Sequence, residues 1–209
     1  MARRSDHNRE ELQQLILSAA TSIVNERGRD ALTARSVSKK TGYAPGTIYN
    51  VYGSMDGLIM YINAQTMDIL YEVLLKTPEI TKPNAVTKNL LALAVSYRKF
   101  VTNNKNIWLL LFDTSLPEDR VTLDWYQSKV DQLFELIENI LLPLFAQKKS
   151  RELHLASRIL WSSFHGFCYL EEKGQFRTVS SKLTSTDMIE FLIENFVVGL
   201  ENKNDAKSP

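Results

Sequence analysis

The sequence has little of what disulfide scaffolds, membrane spans and catalytic loops require. One cysteine, Cys168, occurs in 209 residues. No intramolecular disulfide can form, and the usage fits a reducing compartment. Glycine (8) and proline (6) are scarce and fall where helical patterns stop, so there is no Gly-rich phosphate loop. Apolar runs are short: Ile107–Phe112 is six residues, against the ~20 that span a bilayer. The opening Met-Ala-Arg-Arg-Ser-Asp-His-Asn has no apolar stretch behind its charges, unlike a secretory signal. These absences point to a cytoplasmic protein with no membrane partner. An excess of one charge is also missing. Net charge is +1, with eight Lys/Arg against six Asp/Glu in residues 1–57 and 17 against 18 in the remainder. That asymmetry is too small to argue for nucleic-acid binding by itself.

The chemistry of an enzyme is equally thin. There is no His-Glu-x-x-His and no paired-cysteine motif. The three histidines are His7, His154 and His165. The last two share a helix face, but eleven residues at ~1.5 Å rise set them about 16 Å apart, too far for one metal. The neighbouring carboxylates Glu118–Asp119 and Glu171–Glu172 read as solvated pairs. No nucleophile stands at a motif spacing from a base. The expectation is no catalytic residue, no metal and no cofactor.

What is present is helical periodicity. Hydrophobic residues make up 44% of the chain, and no segment sustains the two-residue alternation of a strand. The pattern predicts an all-α protein of about nine helices. In the first, Leu12, Leu15, Ile16, Ala19, Ala20, Ile23 and Val24 share one face. Asn8 is placed as N-cap with Glu11 in the capping-box position, and Gly28 ends the helix. Thr33 caps a short helix that stops near Gly42. A third opens at Pro45 and ends at Gly53, and Ser54 caps a long fourth running to about Lys76. Further helices are expected at roughly 84–103, 105–113, 119–146, 150–173 and 185–202. Turns are expected at Thr77–Pro83 and Ser115–Asp119, a polar loop at Gly174–Ser185 and a frayed tail at Asn202–Pro209.

Two short helices joined by a tight turn at Gly42, after a longer helix, form a helix-turn-helix pattern. Val37 and Ile48 can lock the pair together. Tyr43, Ala44, Pro45, Thr47, Tyr49 and Asn50 lie on or beside the third helix. Small residues at its start permit close approach to a groove, Thr and Asn can bond base edges, and Tyr hydroxyls reach phosphate oxygens. Periodicity alone fits a plain helical hairpin with a polar surface equally well.

The order and spacing of particular residues go further. The run Leu15-Ile-Leu-Ser-Ala-Ala, Gly28, Ala31-Leu-Thr, then Val37 through Gly42 to Tyr49-Asn-Val-Tyr52-Gly-Ser-Met-Asp-Gly-Leu58 resembles the DNA-binding domain of the TetR family of transcriptional regulators. The resemblance covers about fifty residues. It implies that Thr33 and Arg35 approach the DNA backbone, and that Ala44, Pro45, Thr47 and Asn50 face bases. It implies that Tyr49 and Tyr52 contact phosphates or pack against the helix-turn-helix. One departure is Met55, where the family often has Lys. Ala44 and Pro45 also replace the small polar residue and Lys that often precede the Gly, so no sequence preference carries over. Arg3 and Arg4 fit either a solvated terminus, the favoured reading, or an arm in the minor groove.

In the C-terminal part, Trp161-Ser-Ser-Phe-His165-Gly166 resembles a tryptophan–histidine–glycine signature of one TetR subgroup. Trp161 and His165 are four apart and can touch, either as a pocket wall or as a core pair. Tyr97, Trp108, Phe112, Trp125, Tyr126 and Tyr169 are further pocket candidates, although aromatic residues also fill ordinary cores. They suggest a small apolar or aromatic effector. The last helix carries apolar residues round most of its circumference. Phe191, Leu192, Phe196 and Val198 are candidates for a homodimer interface, with deep burial in a monomer core as the other reading. In the family the last two long helices form such an interface.

The expected organisation is a DNA-binding domain at 1–57, a ligand-binding and dimerisation domain at 58–202 and a flexible tail at 203–209. The function implied is that of a ligand-responsive regulator, most often a repressor, binding a pseudo-palindromic operator as a dimer. A helical adaptor that has lost operator binding is the alternative.

Overall fold

A computed structural model describes residues 8–77, 85–112, 124–145, 151–175 and 183–205. Arg3 and Arg4, the turns around Pro83 and Ser115–Asp119, and most of the polar loop and tail lie outside them. Among the described residues the regular structure is helical, with no strand. The α-helices are α1 (Arg9–Arg27), α2 (Ala34–Thr41), α3 (Pro45–Tyr52), α4 (Met55–Leu75), α5 (Val86–Asn103), α6 (Lys105–Leu110), α7 (Asp124–Leu141), α8 (Arg151–Glu172) and α9 (Ser185–Asp205). Nine α-helices, the number expected, lie among the described residues. The last continues past Asn202, where a frayed tail was expected to begin. None is long and apolar enough to cross a membrane among the described residues.

Local chemistry sets the helix ends. The Asn8 side chain accepts from the Glu11 amide and Glu11 Oε2 accepts from the Asn8 amide, both at 2.9 Å. This is the reciprocal box that satisfies two amides lacking helical partners. Thr33 and Ser36 repeat it at the start of α2. Gly42 has φ 79°, a left-handed conformation, and its amide returns to the Ser38 carbonyl. A side chain there would be strained. The Ser54 hydroxyl accepts from the Gly57 amide at 2.9 Å and caps α4.

The packing divides into two compact units, Met1–Met67 with Asn104–Tyr126, and Asp68–Asn103 with Gln127–Pro209. The first has a core of Ile16, Ala20, Ile23 and Val24 from α1, Val37 from α2, Ile48 and Tyr52 from α3, and Leu58, Ile59 and Ile62 from α4. Ile107 and Leu110 of α6 join it, and the Asn106 amide donates to the Asn25 carbonyl at 2.8 Å. The boundary expected at 57/58 cuts this core. A contact about eighty residues distant in sequence leaves no periodic signal.

In the second unit α9 packs on α5 and α8. It buries Ile189, Ile193 and Val197, spaced by four. The Glu138 carboxylate on α7 is met by His154, Ser157 and Arg158 of α8. Burial alone would raise its pKa, but those three donors outweigh that and hold it below the ordinary carboxylate value.

Two glycines test this packing in opposite directions. A Cβ at Gly57 would collide with the Tyr52 carbonyl, because α4 begins hard against the end of α3. A Cβ at Gly46 would meet open space. Gly57→Ala is expected to lower unfolding free energy by about 1–3 kcal/mol through overpacking. Gly46→Ala is expected to leave it unchanged or raise it by up to about 1 kcal/mol through helix propensity. Urea denaturation of the two variants checks the difference in sign.

Candidate nucleic-acid interface and effector cavity

Helix α3 is held from behind and open in front. Ile48 is fully buried. The buried Tyr52 hydroxyl donates to the Gln13 carbonyl at 2.7 Å, tying α3 to α1. Of the two roles expected for Tyr52, packing is the one the structure shows, and its hydroxyl is not among the exposed groups of α3. On the other side Ala44, Pro45, Gly46, Tyr49 and Asn50 are exposed and Thr47 is partly so. Thr33 and Arg35 are exposed at the start of α2.

No side chain caps the first turn of α3, whose N-cap is Ala44 and whose first residue is Pro45. The turn therefore presents backbone and small side chains, and a helix N-terminus favours anions. Two exposed neighbours, Gly46 and Lys39, were not singled out from sequence. Lys40 is exposed too, but its ammonium is engaged with Glu26 at 3.2 Å and with Ser22. Met55, standing where the family often has Lys, packs partly buried against the core.

The aromatic residues expected around an effector separate into distinct groups. Trp108 is fully buried and stacks edge-on with Phe112, at 4.9 Å between centroids, in the first unit. Trp125 lies 4.9 Å from Tyr61, which stacks on Tyr52 at 5.1 Å. Tyr126 bonds to Asn63, and burial raises its pKa. These four of the eight pocket candidates thus lie in the first unit, Trp108 buried, Trp125 and Tyr126 partly buried and Phe112 exposed. The aromatic character that made them pocket candidates suits ordinary packing equally well. Tyr169 is exposed beneath the Lys173 ammonium.

Tyr97, Trp161 and His165 do come together, at a cavity in the second unit. Its walls are Leu70 and Leu74 of α4, Leu93 and Tyr97 of α5, Leu133 and Ile137 of α7, and Trp161, Phe164 and His165 of α8. The volume is about 30 Å³. The aliphatic walls and Phe164 were missed from sequence, since nothing in their spacing separates them from other core positions.

The Trp161 and His165 rings lie 3.8 Å apart, and Tyr97 Oη is 2.9 Å from His165 Nε2. Burial pushes the imidazole pKa down to about 3, despite a bond to the Trp161 carbonyl that opposes the shift. That bond uses a ring N–H. The other nitrogen accepts from Tyr97, and the neutral ring is satisfied on both sides. Cys168, one turn further along α8, is buried with its thiol pushed up to about 12 and is unreactive at neutral pH.

The surplus apolar face foreseen on the last helix is also present. Phe191 is 70% exposed and Val198 51%, with Leu192 and Phe196 partly exposed. Phe191, Leu192 and Phe196 join Phe167 and Leu183 along an open apolar groove. Leu155 and Ile159 of α8, not singled out from sequence, are exposed as well.

A helix-turn-helix whose second helix is exposed, in a chain that also has a helical unit with a mostly apolar cavity, is an arrangement suited to a DNA-binding regulator. A sequence profile of bacterial regulatory proteins of the tetR family matches residues 16–62, and one of the tetracyclin repressor-like C-terminal domain matches residues 90–196. The chain belongs to the TetR family of DNA-binding transcriptional regulators.

An uncharacterised HTH-type transcriptional regulator of Bacillus subtilis (strain 168), YobS, is 24% identical over 92% of this chain and 95% of its own length. A protein of unknown function from Rhodococcus sp. RHA1 superposes with TM-score 0.70 at 15% identity, covering 96% of this chain and all of the other. The multidrug binding protein EbrR, solved with ethidium, superposes with TM-score 0.62 at 16% identity over 89% of this chain and 98% of its own. At such identities the structural likeness establishes the fold.

The buried imidazole has a measurable consequence. Its folded pKa lies below the unfolded value, so the unfolded chain binds the extra proton between about pH 6.5 and 3. Stability contributed by the neutral ring is therefore present above that window and lost as pH falls through it. Unfolding free energy is expected to decline from pH 7 to 5, above the range where Glu138 and Glu171 take up protons, and His165→Gln is expected to flatten that decline. Guanidinium titrations of both proteins across pH 7 to 5 check it.

Proposed function

We propose that the protein is a ligand-responsive repressor that acts in the cytoplasm and binds a pseudo-palindromic operator as a homodimer. The observation that carries this reading is the open face of α3, with Ala44, Pro45, Gly46, Tyr49 and Asn50 exposed while Ile48 and Tyr52 anchor its back. Thr47 and Asn50 read base edges, Ala44 and Pro45 set the approach, and Tyr49, Thr33 and Arg35 contact the backbone. Two copies joined through α8 and α9 present two such helices one DNA turn apart, roughly 34–36 Å. Phe191, Leu192, Phe196 and Val198 supply the face that a second copy would cover.

The effector is a small apolar or aromatic molecule, and its site is the cavity at Tyr97, Trp161 and His165. Drug-sized ligands occupy roughly 300–1,000 Å³, far more than the closed volume. Binding therefore requires wall helices to move. Leu70 and Leu74 of that wall lie on α4, the helix whose first turn abuts α3. The effector acts through its differential affinity for the two arrangements.

Genome-fragment selection with purified protein, followed by salt titration of the enriched site, tests the reading. Enrichment of one pseudo-palindrome, with affinity falling steeply as salt rises, supports it. Absence of salt-dependent binding at low ionic strength overturns it in favour of an adaptor.

On that site, Tyr49→Ala is expected to weaken binding about tenfold, as loss of one hydrogen bond per subunit would. Arg35→Ala is expected to reduce the logarithmic salt slope by about one for each subunit. Both variants should stay dimeric in sedimentation. Phe191→Glu is expected to shift the sedimenting species toward monomer and to abolish high-affinity operator binding.

A further inference from the structure

We propose that the cavity selects an uncharged effector bearing a hydroxyl or carbonyl that engages the Tyr97–His165 pair, and rejects lipophilic cations and carboxylates alike. The inference rests on the reading of this cavity as the effector site and adds the chemistry that the site accepts.

The argument begins with what lines the space. Six of the nine described wall residues are Leu, Ile or Phe, and their polar atoms come from Tyr97, Trp161 and His165. Among the described residues, no Asp, Glu, Lys or Arg lines the wall. Three pairs of charged groups on the surrounding helices are engaged with one another instead. Arg98 is paired with Glu171 at 2.6 Å, Lys129 with Asp68 at 2.7 Å, and Arg158 with Glu138. A buried ammonium or quaternary nitrogen would find no carboxylate here. An unpaired charge taken from water into an apolar site is strongly disfavoured.

The opposite charge fares no better. A carboxylate would need a cation, and among the described wall residues the titratable base is the His165 imidazole. Burial keeps that ring neutral at physiological pH, with its pKa pushed down to about 3. Protonating it to meet an anion would carry the cost of burying a charge and would reverse the 2.9 Å bond to Tyr97, with the ring donating to the phenol oxygen.

A neutral hydroxyl has no such penalty. The imidazole accepts at one nitrogen, and the phenol both donates and accepts. A ligand hydroxyl inserted between them can donate to the ring and accept from Tyr97, so every polar group stays satisfied. A ligand carbonyl can accept from Tyr97. The flat faces of Trp161 and Phe164, with aliphatic walls around them, suit an aromatic or alicyclic frame.

The test holds the frame constant and changes the charge. Isothermal titration of the full-length protein at pH 7 would use phenol, benzoate and benzylammonium, and the corresponding 1-naphthol, 1-naphthoate and 1-naphthylmethylammonium. The neutral member of at least one series is expected to bind at least tenfold more tightly than both charged members. Tyr97→Phe, which keeps the ring and its packing, is expected to weaken that neutral ligand about three- to tenfold while its own thermal unfolding stays cooperative. His165→Asn, which retains a polar group but not the imidazole acceptor geometry, is expected to weaken it as well.

Binding of a charged member within threefold of its neutral congener overturns the proposed selectivity and leaves the cavity an effector site. Unchanged neutral affinity in both variants overturns the polar anchor. If no member of either series binds up to about 1 mM, the cavity does not take effectors of this kind and both readings fall.

Discussion

The Tyr52 hydroxyl reaches across to the Gln13 carbonyl at 2.7 Å, and the orientation of α3 depends on that anchoring. Helix α3 is only eight residues long. A helix of that length is not stable in water by itself. Its orientation comes from what it buries, with Ile48 and Tyr52 set into a core built by α1, α2 and α4, and the start of α4 so close behind that residue 57 has no room for a side chain. Because the rear of the helix is fully committed, its front is left to small and polar residues. That division of labour makes an exposed tyrosine at position 49 and a buried one at position 52 entirely different groups, although they are one helical turn apart.

The second unit uses the same economy of polar groups. Its interior holds a histidine and a tyrosine that satisfy each other, and its charges are paired where helices meet. The Arg98–Glu171 pair draws in Ser185 at the start of α9, so one ionic contact joins α5, α8 and α9. Glu138 does the equivalent between α7 and α8. Breaking such half-buried pairs is costly because it strands a charge. They therefore hold the helices around the cavity in a defined arrangement while leaving the cavity itself uncharged.

Some features were legible because they are local. The Asn8–Glu11 box, Thr33 as a cap, Gly42 at the turn, Pro45 at the first position of α3 and Ser54 at the start of α4 are short-range chemistry, read from spacings of two to four residues. The exposed face of α3 followed from the same spacings with the family resemblance. Trp161 and His165 were paired correctly because four residues on a helix is also a local distance. The assignment of Trp108, Phe112, Trp125 and Tyr126 to a pocket went astray because burial is not local. An aromatic residue beside a cavity and one inside a core share the same periodicity, and only their neighbours from elsewhere in the chain distinguish them.

Hydrogen bonding along the chain and the period of its apolar residues were thus enough to specify helices, the ends of the first three, the helix-turn-helix and an apolar surplus on α9. Partnership between distant segments was not so specified. That Ile107 and Leu110 complete the core of α1, that Tyr97 meets His165 across 68 residues, and that Leu70, Leu133 and Phe164 face one space were decided by tertiary packing. The physical reason is that helix formation is governed by neighbours within one turn. Core membership is governed by shape and desolvation among side chains whose separation along the chain carries no regular mark.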